Sequence, residues 1–368
     1  MTRVEGHKLR LAIAGSRTGG HLYPALQLVD ALGGRLGAVI VVGSGQGPEP
    51  ELVRRAGIPY AAVPAAPFRG RSPARWAPGL VALGRGFFAA RKLLGAFRPD
   101  VVLSTGGYAG VPVGLAARSL GISLVLFPLD VAPGWAVRLL TPFATAVAVT
   151  NADALARFKG PRVRLVGYPV RPAIGQVAPE AARDRLGLSL DLPVVLVMGG
   201  SQGARVLNEA VFANLGRLLD AAQVIHLTGQ AGYSRAEALK GALPPHHRPR
   251  YLPFAYLEEV ELAYGAADLV VGRAGASVLG ELPAARRPAI LVPGDFSDQW
   301  ANAAYLARTA GVVVLGQENL DCLVPLILAL LDDPDRRAEM AAALGRLHRP
   351  DAARALADLV LEAAGDGR

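Results

Sequence analysis

Twice in this chain an apolar, β-branched run breaks on glycine and resumes as an amphipathic stretch: AIAGSRTGGHLYPAL near residue 15 and VLVMGGSQGARVLNEAV over 195–211. Each copy heads a half of the chain in which further short apolar runs follow. In the first half these are 9–15, 38–43, 60–65, 100–105, 123–127 and 145–150; in the second, 192–199, 222–229, 248–254, 267–272, 287–293 and 311–316. Continuous rather than alternating apolar runs mark strands covered on both faces, the condition of parallel sheets flanked by helices. The pattern therefore predicts an α/β fold of two doubly wound, Rossmann-like domains facing across a cleft. The expected domains are 1–168 and 169–348, joined through the Pro- and Gly-rich 166–180, with a last helix at 349–365. A chain of 368 residues is long enough for two such cores.

Composition narrows the class. No apolar run approaches the roughly 18 residues of a spanning helix. MTRVEGHKLRLAIAG lacks a signal-peptide pattern, so a cytoplasmic location is expected. The one cysteine, Cys322, excludes an intrachain disulfide and any multi-cysteine metal site. Its neighbours, NLDCLVPLILALL, predict a buried, inert thiol on a helix. A net charge of +9 points to an anionic partner.

The Gly199–Arg205 turn has the form of a phosphate-binding turn. Glycine lets backbone approach an anion, the N–H groups of the following helix face it, and Ser201 adds a hydroxyl donor. A tight turn needing glycine only for its backbone angles is the alternative. Neither glycine turn has the G-x-G-x-x-G spacing, and neither half offers an acid at the end of its second strand. Both facts count against NAD and FAD.

In GSRTGGHLYP, Thr18, Gly19, Gly20 and His21 fall at the edge of the first sheet, and histidine is the natural residue type for a general base there. STGGYAGVP (104–112) supplies a third glycine turn. In RAGASVLGE, Gly275 opens a helix on which Ser277 and Glu281, four apart, share a face. A carboxylate there can accept both hydroxyls of a ribose; an ordinary surface Glu is the plain alternative. Asp298, Gln299 and Asn302 offer amides suited to sugar hydroxyls. Segment 68–99 mixes arginines with Trp76, Phe87, Phe88 and Leu94, as a helix lying on anionic lipid would; an arginine-rich solvent face is the other reading. It lacks the aromatic spacing of a nucleic-acid module, and no nucleic-acid partner is expected. LLDDPDRR (330–337) reads as a turn and helix cap.

In order along the chain, TGGHLYPAL, TGGYAGVP, GYPVR, GGSQGARVLN, RAGASVLGE and DQWANA resemble the motifs of the MurG family. That resemblance implies the GT-B architecture and an inverting transferase working at the cytoplasmic face of the cell membrane. It implies UDP-N-acetylglucosamine as donor, a lipid-linked muramyl-pentapeptide on undecaprenyl diphosphate as acceptor, and no cofactor or required metal.

The resemblance places Thr18, Gly19 and Gly20 on the donor-facing loop and His21 on the histidine proposed for catalysis. Gly106, Gly107 and Tyr108 fall on the acceptor and diphosphate loop, Arg171 on a donor-contacting arginine and Ser201 on the diphosphate serine. Ala255 falls where backbone reads uracil. Ala276, Ser277, Val278, Leu279, Gly280 and Glu281 fall on the donor-binding helix start, with Glu281 on ribose, and Gln299 falls on the sugar. Trp76, Phe87 and Phe88 form the membrane patch. Two departures stand out: the first loop is one residue longer than AGGTGGH, and FPLD replaces HEQN. The second puts Asp130 in place of an asparagine, near the sugar and as an alternative base. The residues alone leave open a lipid glucosyltransferase, a 2-epimerase, or a nucleotide-binding relative without catalysis.

Overall fold

The computed structural model describes residues 8–15, 19–47, 49–66, 76–158, 162–200, 203–295 and 298–366. The chain divides into two compact units. The first takes the residues up to Pro169 together with those from Arg349 onward; the second is Val170–His348.

The first unit is built on seven parallel strands: β1 (Leu9–Ala14), β2 (Leu36–Gly43), β3 (Tyr60–Ala62), β4 (Val101–Ser104), β5 (Ser123–Leu126), β6 (Ala146–Val149) and β7 (Arg162–Leu165). Their order across the sheet is β3-β2-β1-β4-β5-β6-β7. β4, β5 and β6 are buried along their whole length, as continuous Val/Leu/Ala runs require when helices cover both faces. β7 is absent from the sequence reading. RVRL alternates charge with apolar residues and is only partly buried, so an edge strand like this leaves no continuous apolar run to find.

The last helix, Ala352–Asp366, returns to this sheet. It buries Leu356, Leu359 and Val360, and its Glu362 receives two hydrogen bonds from Arg164 of β7, at 3.0 and 2.8 Å.

The second unit repeats the plan with β8 (Val194–Met198), β9 (Gln223–Leu227), β10 (Tyr251–Phe254), β11 (Leu269–Gly272), β12 (Ala289–Leu291) and β13 (Val313–Val314). The order is β10-β9-β8-β11-β12-β13, which matches the first six strands of the other sheet. In both sheets the order reverses beside the first strand, between β1 and β4 and between β8 and β11. A parallel sheet opens its crevice at that point, so the loops leaving those four strands are where ligands sit in such folds.

Two local readings are corrected. Cys322 is exposed, at the end of a 3-10 turn (Gln317–Cys322) rather than inside the apolar helix Leu323–Leu331. Leu94 is fully buried in the first unit's core, with Phe87 packed against that core, so neither faces solvent with the arginines. Helix register decides this: Leu94 lies two turns from Phe87, on the inward side of Trp76–Phe97. At 330–337, Asp333 caps its helix by accepting from the Arg336 N–H, with Pro334 in the first turn, as the sequence suggests.

Candidate functional site

In the first unit, β1 runs into Gly15, whose φ of +81° suits glycine. A Cβ there would collide with the carbonyl oxygen of Gly106, in the loop after β4. The Thr105 hydroxyl donates to the Gly15 carbonyl, and the Thr105 N–H to Ala14 O at 3.0 Å. The two glycine loops are thus locked together at the reversal point. Helix Gly19–Leu32 starts from the first loop and carries partly buried His21 in its first turn. His21 Nδ1 lies 3.2 Å from the Thr105 carbonyl. A carbonyl only accepts, so Nδ1 bears the proton and Nε2 of the neutral ring is the basic nitrogen. Gly19 and Gly20 open the same helix. Thr18 lies outside the described residues.

Gly106 and Gly107 both take positive φ, +90° and +73°. Tyr108, after them, has its hydroxyl 3.4 Å from Ser44 Oγ, beyond β2. Asp130 is partly buried in the bend after β5. Its FPLD segment is held at both ends, by Phe127 N–H to Ser104 O at 2.8 Å and by Thr150 Oγ1 to Leu129 O at 3.1 Å. The structure therefore gathers His21, the Gly106–Tyr108 loop and the Asp130 segment along one edge of the first sheet, at the ends of β1, β4 and β5.

In the second unit, β8 runs into Gly199 and Gly200, and Gly203 precedes helix Arg205–Ala213. Ser201 lies outside the described residues. The helix is capped by Ala204, which has no side chain to accept from the first-turn N–H groups. Those donors suit an anion instead. Gly203 has φ +75°, and a Cβ on it would strike the Thr228 carbonyl, so the turn presses directly on the end of β9.

After β11 a turn through Ala276 and Ser277 leads into helix Val278–Ala285. The helix starts at Val278, not Gly275. Ser277 caps it in position only; the two hydroxyls of Ser277 and Tyr264 both hydrogen-bond Glu281, Tyr264 at 3.0 Å. Val278, Leu279 and Gly280 are buried, while Glu281 is partly buried. Burial holds the Glu281 carboxyl above its ordinary value, against the opposing pull of Tyr264, Ser277 and the Arg171 charge. Arg171 donates to the Glu258 carbonyl at 2.7 Å and lies 3.6 Å from the Glu261 carboxylate. This carboxylate, held by two hydroxyls and facing a cation, is no ordinary surface Glu. Tyr264, 17 residues upstream on another helix, left no trace in the sequence pattern.

Ala255 follows β10 directly, partly buried. Gln299 opens helix Gln299–Ala310 and accepts from Gly294 N–H at 2.8 Å through its carbonyl oxygen, which keeps its amide N–H groups as donors for a ligand. Asn302 is different: it is fully buried and donates to Ala274 O at 3.0 Å. Its amide holds the RAGAS turn against the helix rather than offering itself to a sugar. Arg273, given no role by the sequence reading, braces the Gln299 loop from below. It donates to Val292 O, Pro293 O and Gln317 Oε1, and Gln317 in turn donates to Asp295.

Among the intended membrane residues, Trp76 is the first residue of helix Trp76–Phe97 and Phe88 is 70% exposed, beside exposed Leu80, Val81, Arg85, Arg91 and Lys92. Phe87 meets Phe88 edge-on, with ring centroids 5.3 Å apart. No helix among the described residues is long and apolar enough to cross a membrane.

Two parallel α/β units, each with a glycine loop at its reversal point, one beside the Glu281 carboxylate and the other beside His21, define a protein of the GT-B class. Residues 11–149 match the glycosyltransferase family 28 N-terminal domain and 194–356 its C-terminal domain. Similar proteins of Desulforudis audaxviator (39% identical, 98% of this chain and 100% of the relative) and Roseiflexus sp. strain RS-1 (38%, 96% and 94%) are both called UDP-N-acetylglucosamine--N-acetylmuramyl-(pentapeptide) pyrophosphoryl-undecaprenol N-acetylglucosamine transferase. The fold is shared with Acinetobacter baumannii MurG (TM-score 0.74, 24% identity, 96% of this chain and 99% of that one). It is also shared with a putative UDP-N-acetylglucosamine 2-epimerase of Listeria monocytogenes (0.69, 16%, 97% and 96%). The chain belongs to the MurG family of glycosyltransferases.

Proposed function

We propose that this chain transfers N-acetylglucosamine from UDP-N-acetylglucosamine to a lipid-linked N-acetylmuramyl-pentapeptide, the step that completes the disaccharide unit of peptidoglycan. The observation that carries this reading is the Glu281 carboxylate, oriented by Tyr264 and Ser277 at the same sheet edge as the uncapped helix start after Gly203. One takes ribose hydroxyls, the other the diphosphate. The Ala255 backbone reads uracil, Gln299 and the 276–280 turn hold the sugar and its phosphate, and Arg171 adds positive charge. In this role the second unit is the donor domain and the first the acceptor domain.

Chemically, the acceptor hydroxyl attacks C1 of the sugar from the face opposite the diphosphate, so the configuration inverts. The C1–O bond to UDP breaks as the new glycosidic bond forms. His21 Nε2 takes the hydroxyl proton, with Nδ1–H anchored on Thr105 O; Asp130 is the second candidate base. Charge develops on the leaving diphosphate, where the N–H groups of helix Arg205–Ala213, the Ser201 hydroxyl and Arg171 stabilise it. The family resemblance gives Thr18, Gly19 and Gly20 a donor-contacting role and Gly106, Gly107 and Tyr108 a role in receiving the acceptor's diphosphate.

The acceptor is a lipid, and Leu80, Val81 and Phe88 with Arg85, Arg91 and Lys92 give the first unit an apolar face ringed by cations. We infer that this face rests on the anionic cytoplasmic leaflet as a peripheral contact. The fold alone would equally serve a 2-epimerase; the near-full-length relatives at 38–39% identity favour the transferase. Incubation with radiolabelled UDP-N-acetylglucosamine and a lipid-linked muramyl-peptide tests the reading. Label is expected in the lipid fraction. Donor binding without label transfer would overturn it.

A further inference from the structure

His226 of β9 and Tyr251 of β10 are fully buried in the second unit, beneath the loops that hold the donor. Neither has a part in the reaction described above. Tyr251 Oη lies 3.0 Å from His226 Nδ1, His226 Nε2 lies 3.1 Å from Asn208 Oδ1, and Asn208 Nδ2 lies 2.8 Å from the Thr228 carbonyl. The Thr228 carbonyl only accepts, so the amide end of Asn208 faces it and Oδ1 faces the imidazole. His226 Nε2 must then donate, Nδ1 must accept, and the Tyr251 hydroxyl must donate. Every bond has one direction: Tyr251 to His226 to Asn208 to Thr228. Burial pushes the imidazole down to about 3, so the ring stays neutral and the direction does not reverse near neutrality.

Thr228 is the meeting point. Its carbonyl takes the end of this chain and also lies against Gly203 of the phosphate turn. Its N–H donates to the Phe254 carbonyl at 2.9 Å, and its hydroxyl lies 3.2 Å from that same oxygen and 3.0 Å from the Gly229 carbonyl. Phe254 immediately precedes Ala255. One residue thus joins the turn that receives the diphosphate to the backbone that reads the base.

We propose that Tyr251, His226, Asn208 and Thr228 are positioning residues that hold the phosphate turn and the uracil-reading backbone at a fixed separation, so that both ends of the donor nucleotide meet a preformed template. This rests on the donor assignment made above. Support of this kind raises affinity by lowering the cost of ordering the site on binding.

Tyr251→Phe and Thr228→Val each remove one hydroxyl at nearly constant volume. In the full chain, calorimetry with UDP is expected to show Kd about fivefold weaker for each, the equivalent of one net hydrogen bond. Donor KM should rise in parallel, with kcat at saturating donor and acceptor KM within about twofold of wild type. Thr228→Ser, which keeps the hydroxyl, should restore UDP affinity. The double variant should lose less than the product of the two, since both loosen the same residue, Thr228, one through its carbonyl and the other through its hydroxyl. A role confined to stability would lower the yield of folded enzyme and leave UDP Kd and donor KM unchanged; that result overturns the proposal. If wild type itself fails to bind UDP, the donor assignment falls, and this inference with it.

Discussion

The Tyr168 hydroxyl donates to the Gly20 carbonyl at 2.6 Å, across 148 residues of chain. The reason lies one turn further along helix Gly19–Leu32. Pro24 has no N–H, so the Gly20 carbonyl, four residues back, lacks its helical partner. Tyr168, buried in the GYPVR segment, supplies the missing donor. His21 sits next to that carbonyl, so the bond that repairs the helix also steadies the proposed base.

Tyr168→Phe should therefore cost about 1 kcal/mol of stability, the usual net worth of a hydrogen bond, and should also lower kcat. Urea denaturation in the wild-type and Pro24→Ala backgrounds checks the cause. Pro24→Ala restores an N–H for Gly20, so Tyr168→Phe should cost less there. Equal costs in both backgrounds would show that the proline is not the reason.

His21→Ala should lower kcat by about 100-fold or more, the range of a lost general base, and leave donor KM nearly unchanged. Steady-state kinetics with UDP-N-acetylglucosamine and a lipid-linked acceptor decides this. A variant with wild-type kcat would move the base to Asp130, which Asp130→Asn then tests directly.

Glu281→Ala should weaken UDP binding by about 10- to 100-fold, since hydrogen bonds to a charged group are worth about 1.5–3 kcal/mol. Tyr264→Phe leaves the carboxylate but frees one of its oxygens, and should cost about fivefold. Calorimetry with UDP reads both. If Tyr264→Phe proved as damaging as Glu281→Ala, Tyr264 would have to touch the nucleotide itself.

Glu49 makes a stability prediction independent of the donor site. It is buried, and burial pushes its carboxyl up to about 7, against a hydrogen bond from Tyr60 at 3.4 Å. Between its ordinary value of 4.5 and about 7 the folded chain holds a proton that the unfolded chain releases. Stability from this group is thus full below 4.5 and is lost as pH rises through 7, by an amount on the order of 3 kcal/mol. Glu49→Gln stays neutral throughout. Its urea midpoint should exceed that of wild type at pH 8 and match it at pH 4; the same difference at both values would contradict the assignment.

Phe88→Glu places a charge in the exposed apolar face and should abolish binding to vesicles rich in anionic phospholipid while leaving UDP affinity intact. Co-sedimentation at low and moderate salt reads this. Arg85→Glu should act in the same direction but weaken as salt rises, because exposed charges are screened within about 8 Å at physiological ionic strength.

The sequence by itself determined the two parallel sheets, twelve of the thirteen strands among the described residues, and the motifs on which the family resemblance rests. Those features are local: a buried parallel strand is a continuous apolar run, and a ligand turn is a cluster of glycines at its end. The tertiary structure decided what depends on residues far apart in the chain. Asn302 and Gln299 are three positions apart and look alike as sugar contacts, yet burial against Ala274 spends the Asn302 amide on the fold. Cys322 sits in an apolar neighbourhood but ends a 3-10 turn and is exposed. Tyr264 reaches Glu281, Tyr168 reaches Gly20 and Tyr251 reaches His226 only because the folded chain brings their elements together, the last pair on neighbouring strands. A hydroxyl's partner is set by where the backbone carries it, and no spacing along the chain records that distance.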